Sequence, residues 1–330
     1  MKKEEMQKIT DNWEIGKIIS FKQAAKGVVN INWIIKTSVG KYVLRKVAWH
    51  RKLSELKFEL TYLNYLKKHR FPYQIPFPLK TKDKKSLLKL GKSYFWIYKY
   101  IEGSHVKRFG STQLKEVAKM MAGYHKIIEN SKLDNKKGIG EAFNRNNVLK
   151  ELKEFRLKTL KKPKKSKEES VFLRESAILI PIFSGLNAEE YSKLPRYPLH
   201  SDINPENVLW KGKKLAGVID FETTGVINQT IIKDISVMLQ YSCRKSIYKL
   251  DLNLAKFFLK EYKKYHPLSD KEIRFIPDVM TAGAVEDFSY MYWLFRNDPK
   301  RAKLYRMIKC SKNAQWCNKN RNGIIRKLIS

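Results

Sequence analysis

Residues 199–222, LHSDINPENVLWKGKKLAGVIDFE, constrain this chain more than any other stretch. Two short strand-like pieces, NVLW and LAGVID, are joined by the polar turn KGKK, inside sequence that otherwise reads as helical from residue 111 onward. A hairpin brings its two far ends side by side. Asn207 precedes the first piece and Asp220 ends the second, so an amide oxygen and a carboxylate converge. That is hard-oxygen chemistry suited to Mg²⁺. Asp202 lies five residues before Asn207 in a polar loop, where a carboxylate can accept a proton from an incoming hydroxyl. One base and two metal ligands are what phosphoryl transfer asks of a protein, because that reaction depends on positioning and charge neutralisation. In the competing reading Asp202 and Asn207 close ordinary Asx turns and Asp220 caps the next element. It accounts for each residue singly but not for the ordered set.

The rest of the chain has room for such a site. With 330 residues, 43% of them hydrophobic, it can bury a large core and divide into two parts. Residues 14–48 carry three β-rich runs, GKIISFKQ, VNINWIIKTS and KYVLRKV, the last two joined at Val39-Gly40. The spacing of Leu56, Leu60, Leu63 and Leu66 predicts a helix over 54–68, with Ser54 as its N-cap. SLLKLGKSYFWIYKYIEG predicts a hairpin that runs into an extended segment closed by Gly103. The charged, Pro-interrupted stretch 161–169 predicts a surface loop. The expected architecture is α+β: a small β-rich N-lobe over 1–100 and a larger helical C-lobe over 101–330.

Composition excludes some classes. No apolar run approaches the roughly 18 residues that span a bilayer, and the N-terminus MKKEEMQKITDNWEIGK has no apolar core of a secretory signal. Cys243, Cys310 and Cys317 are few, odd in number and outside metal spacing, which fits a reducing cytoplasm. The net charge is +36, yet lysine outnumbers arginine more than threefold and is scattered along the whole chain. A phosphate-gripping surface recruits arginine as well. The charge is therefore read as a proteome-wide lysine bias, with nucleic acid at most a secondary partner.

The order D-x-x-x-x-N, hairpin, D-F resembles the catalytic loop and metal site of protein kinases. His200-Ser201-Asp202 stands in place of H-R-D and Asp220-Phe221-Glu222 in place of D-F-G. In this form, H-x-D-x-x-x-x-N followed by I-D-[FWY]-[ED], the segment resembles the aminoglycoside phosphotransferase and choline kinase superfamily. The resemblance covers roughly residues 14–245 and implies a protein-kinase-like two-lobed fold that uses ATP and Mg²⁺. It assigns Asp202 as the base and Asn207 and Asp220 as metal ligands. His200 is expected to orient the loop, and Asp234, in KDIS, to brace it. Arg45 of V-L-R stands where the family places a phosphate-binding cation, and Glu59, ahead of Glu55, is its expected partner. The turn Lys26–Asn32 resembles the phosphate-covering turn of homoserine-kinase-like members, with Ser20 and Asn30 as polar contacts. Tyr98 and Tyr100 fall in the expected adenine-binding hinge. His125 is expected to pack or hydrogen-bond.

For the acceptor, the resemblance favours a homoserine-like amino alcohol, ahead of choline or ethanolamine, an aminoglycoside or a sugar. In EDFSYMYWLF, Glu286 and Asp287 suit a cationic substrate and Tyr290, Tyr292 and Trp293 a cation–π wall, while the commoner reading of such an aromatic stripe on a helix is core packing. The alternative class is a pseudokinase-like binding protein for nucleic acid or a protein partner.

Overall fold

The computed structural model describes residues 2–24, 30–48, 51–133, 143, 145–226 and 228–330. The turn over 25–29, with Gly27, Val28 and Val29 of the expected phosphate-covering segment, lies outside them. Two compact units emerge: Met1–Val106 with Glu206–Val226, and Lys107–Pro205 with Ile227–Ser330.

The first unit begins with helix α1 (Lys3–Thr10), which the sequence patterns did not single out. A five-stranded antiparallel sheet follows: β1 (Ile18–Gln23), β2 (Ile31–Thr37), β3 (Lys41–Lys46), β4 (Leu88–Leu90) and β5 (Ser93–Lys99), in the order β1-β2-β3-β5-β4. Strand side chains alternate between faces. Tyr42 and Leu44 of β3 therefore join Met6, Trp13, Ile35 and Ile97 in one apolar core. Arg45 lies on the opposite face, where it pairs in register with Asn32 and Trp96.

Helix α2 (Leu53–Lys68) starts one residue earlier than the sequence spacing predicts. Lys52, not Ser54, is its N-cap, and the Glu55 carboxylate accepts from the Lys52 N–H at 3.3 Å. Leu56, Leu60, Leu63 and Leu66 are buried, and Glu59 sits in the same buried row.

The hairpin β7 (Val208–Lys211) and β8 (Lys214–Val218) coheres with this first unit. Gln74 holds it through Gln74 N–H to Ala216 O at 3.1 Å and Val218 N–H to Gln74 O at 2.9 Å. Ser104 and Trp210 exchange two further backbone bonds at 2.9 Å. Gly217 permits the close approach, since a Cβ there would lie 2.7 Å from the Gln74 carbonyl oxygen. A single 3₁₀ turn, Glu222–Gly225, follows and packs on α2. A methyl at Gly225 would run into the Glu55 carbonyl of α2.

The second unit is helical: α3 (Ser111–Glu129), α4 (Arg145–Leu160), α5 (Lys167–Ser184), α6 (Ala188–Ser192), α7 (Ile232–Ser242), α8 (Leu252–Lys263), α9 (Asp270–Ile273), α10 (Ile276–Asn297), α11 (Leu304–Lys319) and α12 (Arg321–Ile329). A two-stranded ladder, β6 (Tyr197–Pro198) with β9 (Asn228–Gln229), interrupts it. The expected surface loop over 161–169 is shorter in the structure, because Ser166 caps α5 by accepting from the Glu169 N–H at 3.2 Å. Among the described residues no helix is long and apolar enough to cross a membrane.

Candidate active site

In the first unit, the site is built around Arg45. Its side chain is 4% exposed, and its Nε donates to Asn32 Oδ1 at 3.1 Å. Nη1 lies 3.5 Å from Glu59 Oε1 and Nη2 lies 3.5 Å from Asp220 Oδ1. The guanidinium also stands 5.3 Å from the Trp96 ring. Burial works against its charge, yet Asp220, Tyr98, Glu59 and Glu222 more than offset this, so its pKa rises above the ordinary arginine value. Glu59 is fully buried and meets a second arginine: Arg51 Nη1 donates to Glu59 Oε2 at 2.6 Å.

The open end of the β7–β8 hairpin brings Asn207 and Ile219 together, with Ile219 N–H donating to Asn207 O at 2.9 Å. Asp220 follows with φ +68°, a left-handed conformation that costs a non-glycine residue energy and re-aims its side chain. Its Oδ1 is buried and makes no hydrogen bond; Arg45 is its ion-pair neighbour. Burial and the Asp220 charge push the neighbouring Glu222 carboxyl up to about 7, against the pull of Arg45 and Arg51. Among the described residues no group of three or more His, Cys, Asp or Glu forms a metal cage. Mg²⁺ beside nucleotide phosphates asks a protein for only one or two carboxylates, the phosphates and waters supplying the rest. A buried carboxylate oxygen without a hydrogen bond, on the hairpin end that carries Asn207, fits that demand.

The other residues expected at the nucleotide site are distributed as follows. Asn30 is buried, with Nδ2 donating to Glu222 Oε2 and Oδ1 accepting from Ala48 N–H at 3.0 Å. Both ends of its amide are thus engaged within the protein. Ser20 is exposed on β1. Tyr98 is buried beside Arg45, with burial raising its phenol pKa first and Arg45 opposing. Tyr100 gives its N–H to Lys41 O at 2.9 Å, and the Lys41 ammonium sits 3.5 Å above its ring.

In the second unit, the loop of Asp202 is held from beneath. His200 is buried; its N–H donates to the Tyr124 hydroxyl at 2.9 Å, and its Nδ1 accepts from Asp202 N–H at 3.3 Å. Ser201, at φ +52°, donates its N–H to Asp234 Oδ1. Asp234 Oδ2 lies 3.2 Å from His125 Nε2, and His125 Nδ1 lies 2.7 Å from the Tyr262 hydroxyl. With Nε2–H donating to the carboxylate, Nδ1 accepts from the phenol. Asn204 fixes Asp202 itself, donating Nδ2 to its Oδ1 at 2.8 Å and to its carbonyl at 3.1 Å. Asp234 is fully buried. Its replacement by alanine is expected to lower stability by about 3 kcal/mol, because it leaves the Ser201 N–H and His125 unsatisfied. A shift in urea midpoint at unchanged m-value would measure this.

The same unit gathers charges from α7, α10 and α11. Lys233 Nζ lies 3.1 Å from Glu286 Oε2. Burial and Glu286 push the Asp287 carboxyl up, while Lys233, Arg306 and Lys309 pull it down. Asp287 is also the largest influence raising the Tyr241 phenol, followed by burial and Asp202. The Arg244 guanidinium stands 5.0 Å from the Tyr241 ring. The expected aromatic wall divides: Tyr292 is core, stacked 3.6 Å from Phe172 with its hydroxyl 2.6 Å from that of Thr159. Tyr290 and Trp293 stack on each other at 5.9 Å and are exposed.

Residues 20–268 match the phosphotransferase enzyme family. The chain belongs to that family. Curated relatives of this phosphotransferase include a homoserine kinase of Chelativorans sp. (strain BNC1), 25% identical over 282 residues, covering 86% of this chain and 82% of the relative. A homoserine kinase of Parvibaculum lavamentivorans is also 25% identical, over 305 residues, 90% and 87% of the two chains. Among solved structures, spectinomycin phosphotransferase APH(9)-Ia with ADP and spectinomycin superimposes with TM-score 0.71 at 14% identity, covering 97% of this chain and 98% of that one. A microcompartment-associated aminopropanol kinase gives 0.62 at 10% identity, covering 99% of each chain. These structures establish a kinase-like fold for the phosphotransferase.

Sequence reading had not singled out Arg51, Asn204, Arg306 or Lys309. Arg51 and the two residues of α11 stand in basic stretches without a distinguishing pattern. Asn204 offered a signal, since Asp-x-Asn is a local Asx arrangement.

Proposed function

We propose that this phosphotransferase moves the γ-phosphate of ATP to the hydroxyl of a small amino alcohol of the homoserine type. The observation that carries the phosphoryl-transfer reading is the buried, unbonded oxygen of Asp220 beside the doubly flanked Arg45. Asp202, its Oδ1 fixed by Asn204, accepts the proton of the acceptor hydroxyl as the oxygen attacks phosphorus. Arg45 meets phosphate charge, which it can do at any working pH because it stays protonated. Asp220 and Asn207 hold Mg²⁺, which when bound neutralises the charge on the phosphate oxygens.

The names of the curated relatives and the aminopropanol kinase neighbour support an amino-alcohol acceptor. Side-chain chemistry supports it too. Asp287 suits an ammonium group, and Arg306 and Lys309, both close enough to bear on its titration, suit a carboxylate. Three probes separate these contributions: homoserine carries both charges, 3-amino-1-propanol lacks the carboxylate, and 4-hydroxybutyrate lacks the ammonium. Asp287→Asn is expected to raise KM for the first two by roughly tenfold or more, the scale of a charge-assisted hydrogen bond, and to leave the third unchanged. Steady-state ADP release with each probe, with choline, spectinomycin and glucose alongside, reads this directly. Turnover confined to any of those three would replace the homoserine-type assignment. A chain that fails to bind Mg-ATP at all would point to a binding protein instead.

A further inference from the structure

Glu59 has two arginine partners, and they are not equivalent. Arg51 holds Oε2 at 2.6 Å through Nη1, while its Nη2 donates to the Glu222 carbonyl at 2.9 Å. Arg45 reaches Oε1 only at 3.5 Å and divides its remaining nitrogens between Asn32 and Asp220. Arg51 is 6% exposed at its side chain and Glu59 not at all. A fully buried carboxylate that loses its close cation either takes up a proton or draws in another cation within reach.

We propose that Arg51 is the standing partner of Glu59 and thereby a positioning residue for the nucleotide: it satisfies the buried carboxylate so that Arg45 stays extended toward Asp220 and free to meet phosphates. The inference rests on the nucleotide-site reading of Arg45 given above. Without Arg51, the nearest cation able to close on Glu59 is Arg45, which would shorten its 3.5 Å contact and withdraw from the Asp220 side. The loss would appear in nucleotide binding even though the terminal nitrogens of Arg51 are directed at Glu59 and the Glu222 carbonyl.

Neutralising both members of the Arg51–Glu59 pair tests this. Titration calorimetry of Mg-ATP against the full chain needs no acceptor, and a thermal unfolding curve for each variant reports folding. Arg51→Met is expected to weaken Mg-ATP binding about tenfold, within the coupling range of groups sharing one salt-bridge network. Adding Glu59→Gln to Arg51→Met removes the charge that draws Arg45 away, so the double variant is expected to bind Mg-ATP about threefold or more tighter than Arg51→Met alone. A purely structural brace would instead leave the double variant at least as impaired as Arg51→Met, and that result would overturn the proposal. So would Arg51→Met binding Mg-ATP as tightly as the parent. Arg51→Lys keeps the charge but not the two-pronged donor. Should Arg51→Met not unfold cooperatively, an unchanged affinity in Arg51→Lys would sink the proposal, and a loss of about threefold would support it. Arg45→Met separates the two levels. If it binds Mg-ATP normally, the phosphate role of Arg45 is wrong. If it loses binding while Arg51→Met does not, only the division of partners is wrong.

Discussion

Exchange of Asp202 for asparagine is expected to lower kcat by about two to four orders of magnitude, the range that a positioned general base contributes. Mg-ATP affinity and melting temperature should stay at parental values, because asparagine keeps the shape of the side chain and the backbone bonds of Asp202 to His200 and Asn204 do not depend on its charge. Rapid-quench measurement of the phosphorylated acceptor, paired with calorimetric titration of Mg-ATP, separates the chemical step from binding. Retention of kcat within a few-fold would remove Asp202 from the chemistry.

The second large effect concerns Asp220. Asp220→Asn preserves the side-chain volume and removes the charge. If Asp220 is a metal ligand, activity should fall by roughly a thousandfold, equivalent to several kcal/mol at about 1.4 kcal/mol per factor of ten. The Mg²⁺ concentration for half-maximal rate should rise with it, and that second readout is decisive: a loss of rate at unchanged Mg²⁺ dependence would place the role of Asp220 with Arg45 instead. Relief from the charge of Asp220 should also let the Glu222 carboxyl fall from about 7. Glu222 titrates above the usual carboxylate range in the folded protein, so its ionisation opposes folding as pH rises through that value. Asp220→Asn should therefore lose less stability than the parent as pH rises from about 4.5 to about 7, as followed by thermal melts across that interval.

The sequence signals that single out Asp202 and Asp220 are local. Asp202, Asn207 and Asp220 lie within one segment whose hairpin is written in strand-turn-strand composition. Arg45 was placed by the V-L-R resemblance together with the two-residue period of a strand, and the structure puts it at 3% exposure. Glu59 was preferred to Glu55 through the family resemblance, and in the structure Glu59 is buried beside Arg45 while Glu55 caps the helix. The Ser54 N-cap failed because the capping contact is made by a side chain three residues inside the helix, acting on a lysine backbone that has no compositional signature. What remained hidden depends on distant partners. Arg51 meets Glu222 across 171 residues of sequence, and Asn30 meets the same residue across 192. Which rings of the Tyr290, Tyr292 and Trp293 stripe are core was hidden, because the partners of Tyr292, Phe172 and Thr159, come from other helices. The β6–β9 ladder, two residues a side, is too short for periodicity to show.

The joint at Gly225 has a consequence for control. Helix α2 touches the turn after Asp220 at three points: the Glu55 carbonyl against Gly225, the Tyr62 ring 6.3 Å from that of Phe221, and Arg51, just ahead of the helix, on the Glu222 carbonyl. In protein kinases the corresponding helix is a moving part whose displacement gates the reaction. Here the Glu55 backbone sits close against Gly225 and Arg51 holds the Glu222 carbonyl, so a displacement of α2 is expected to be felt directly by the turn that follows Asp220.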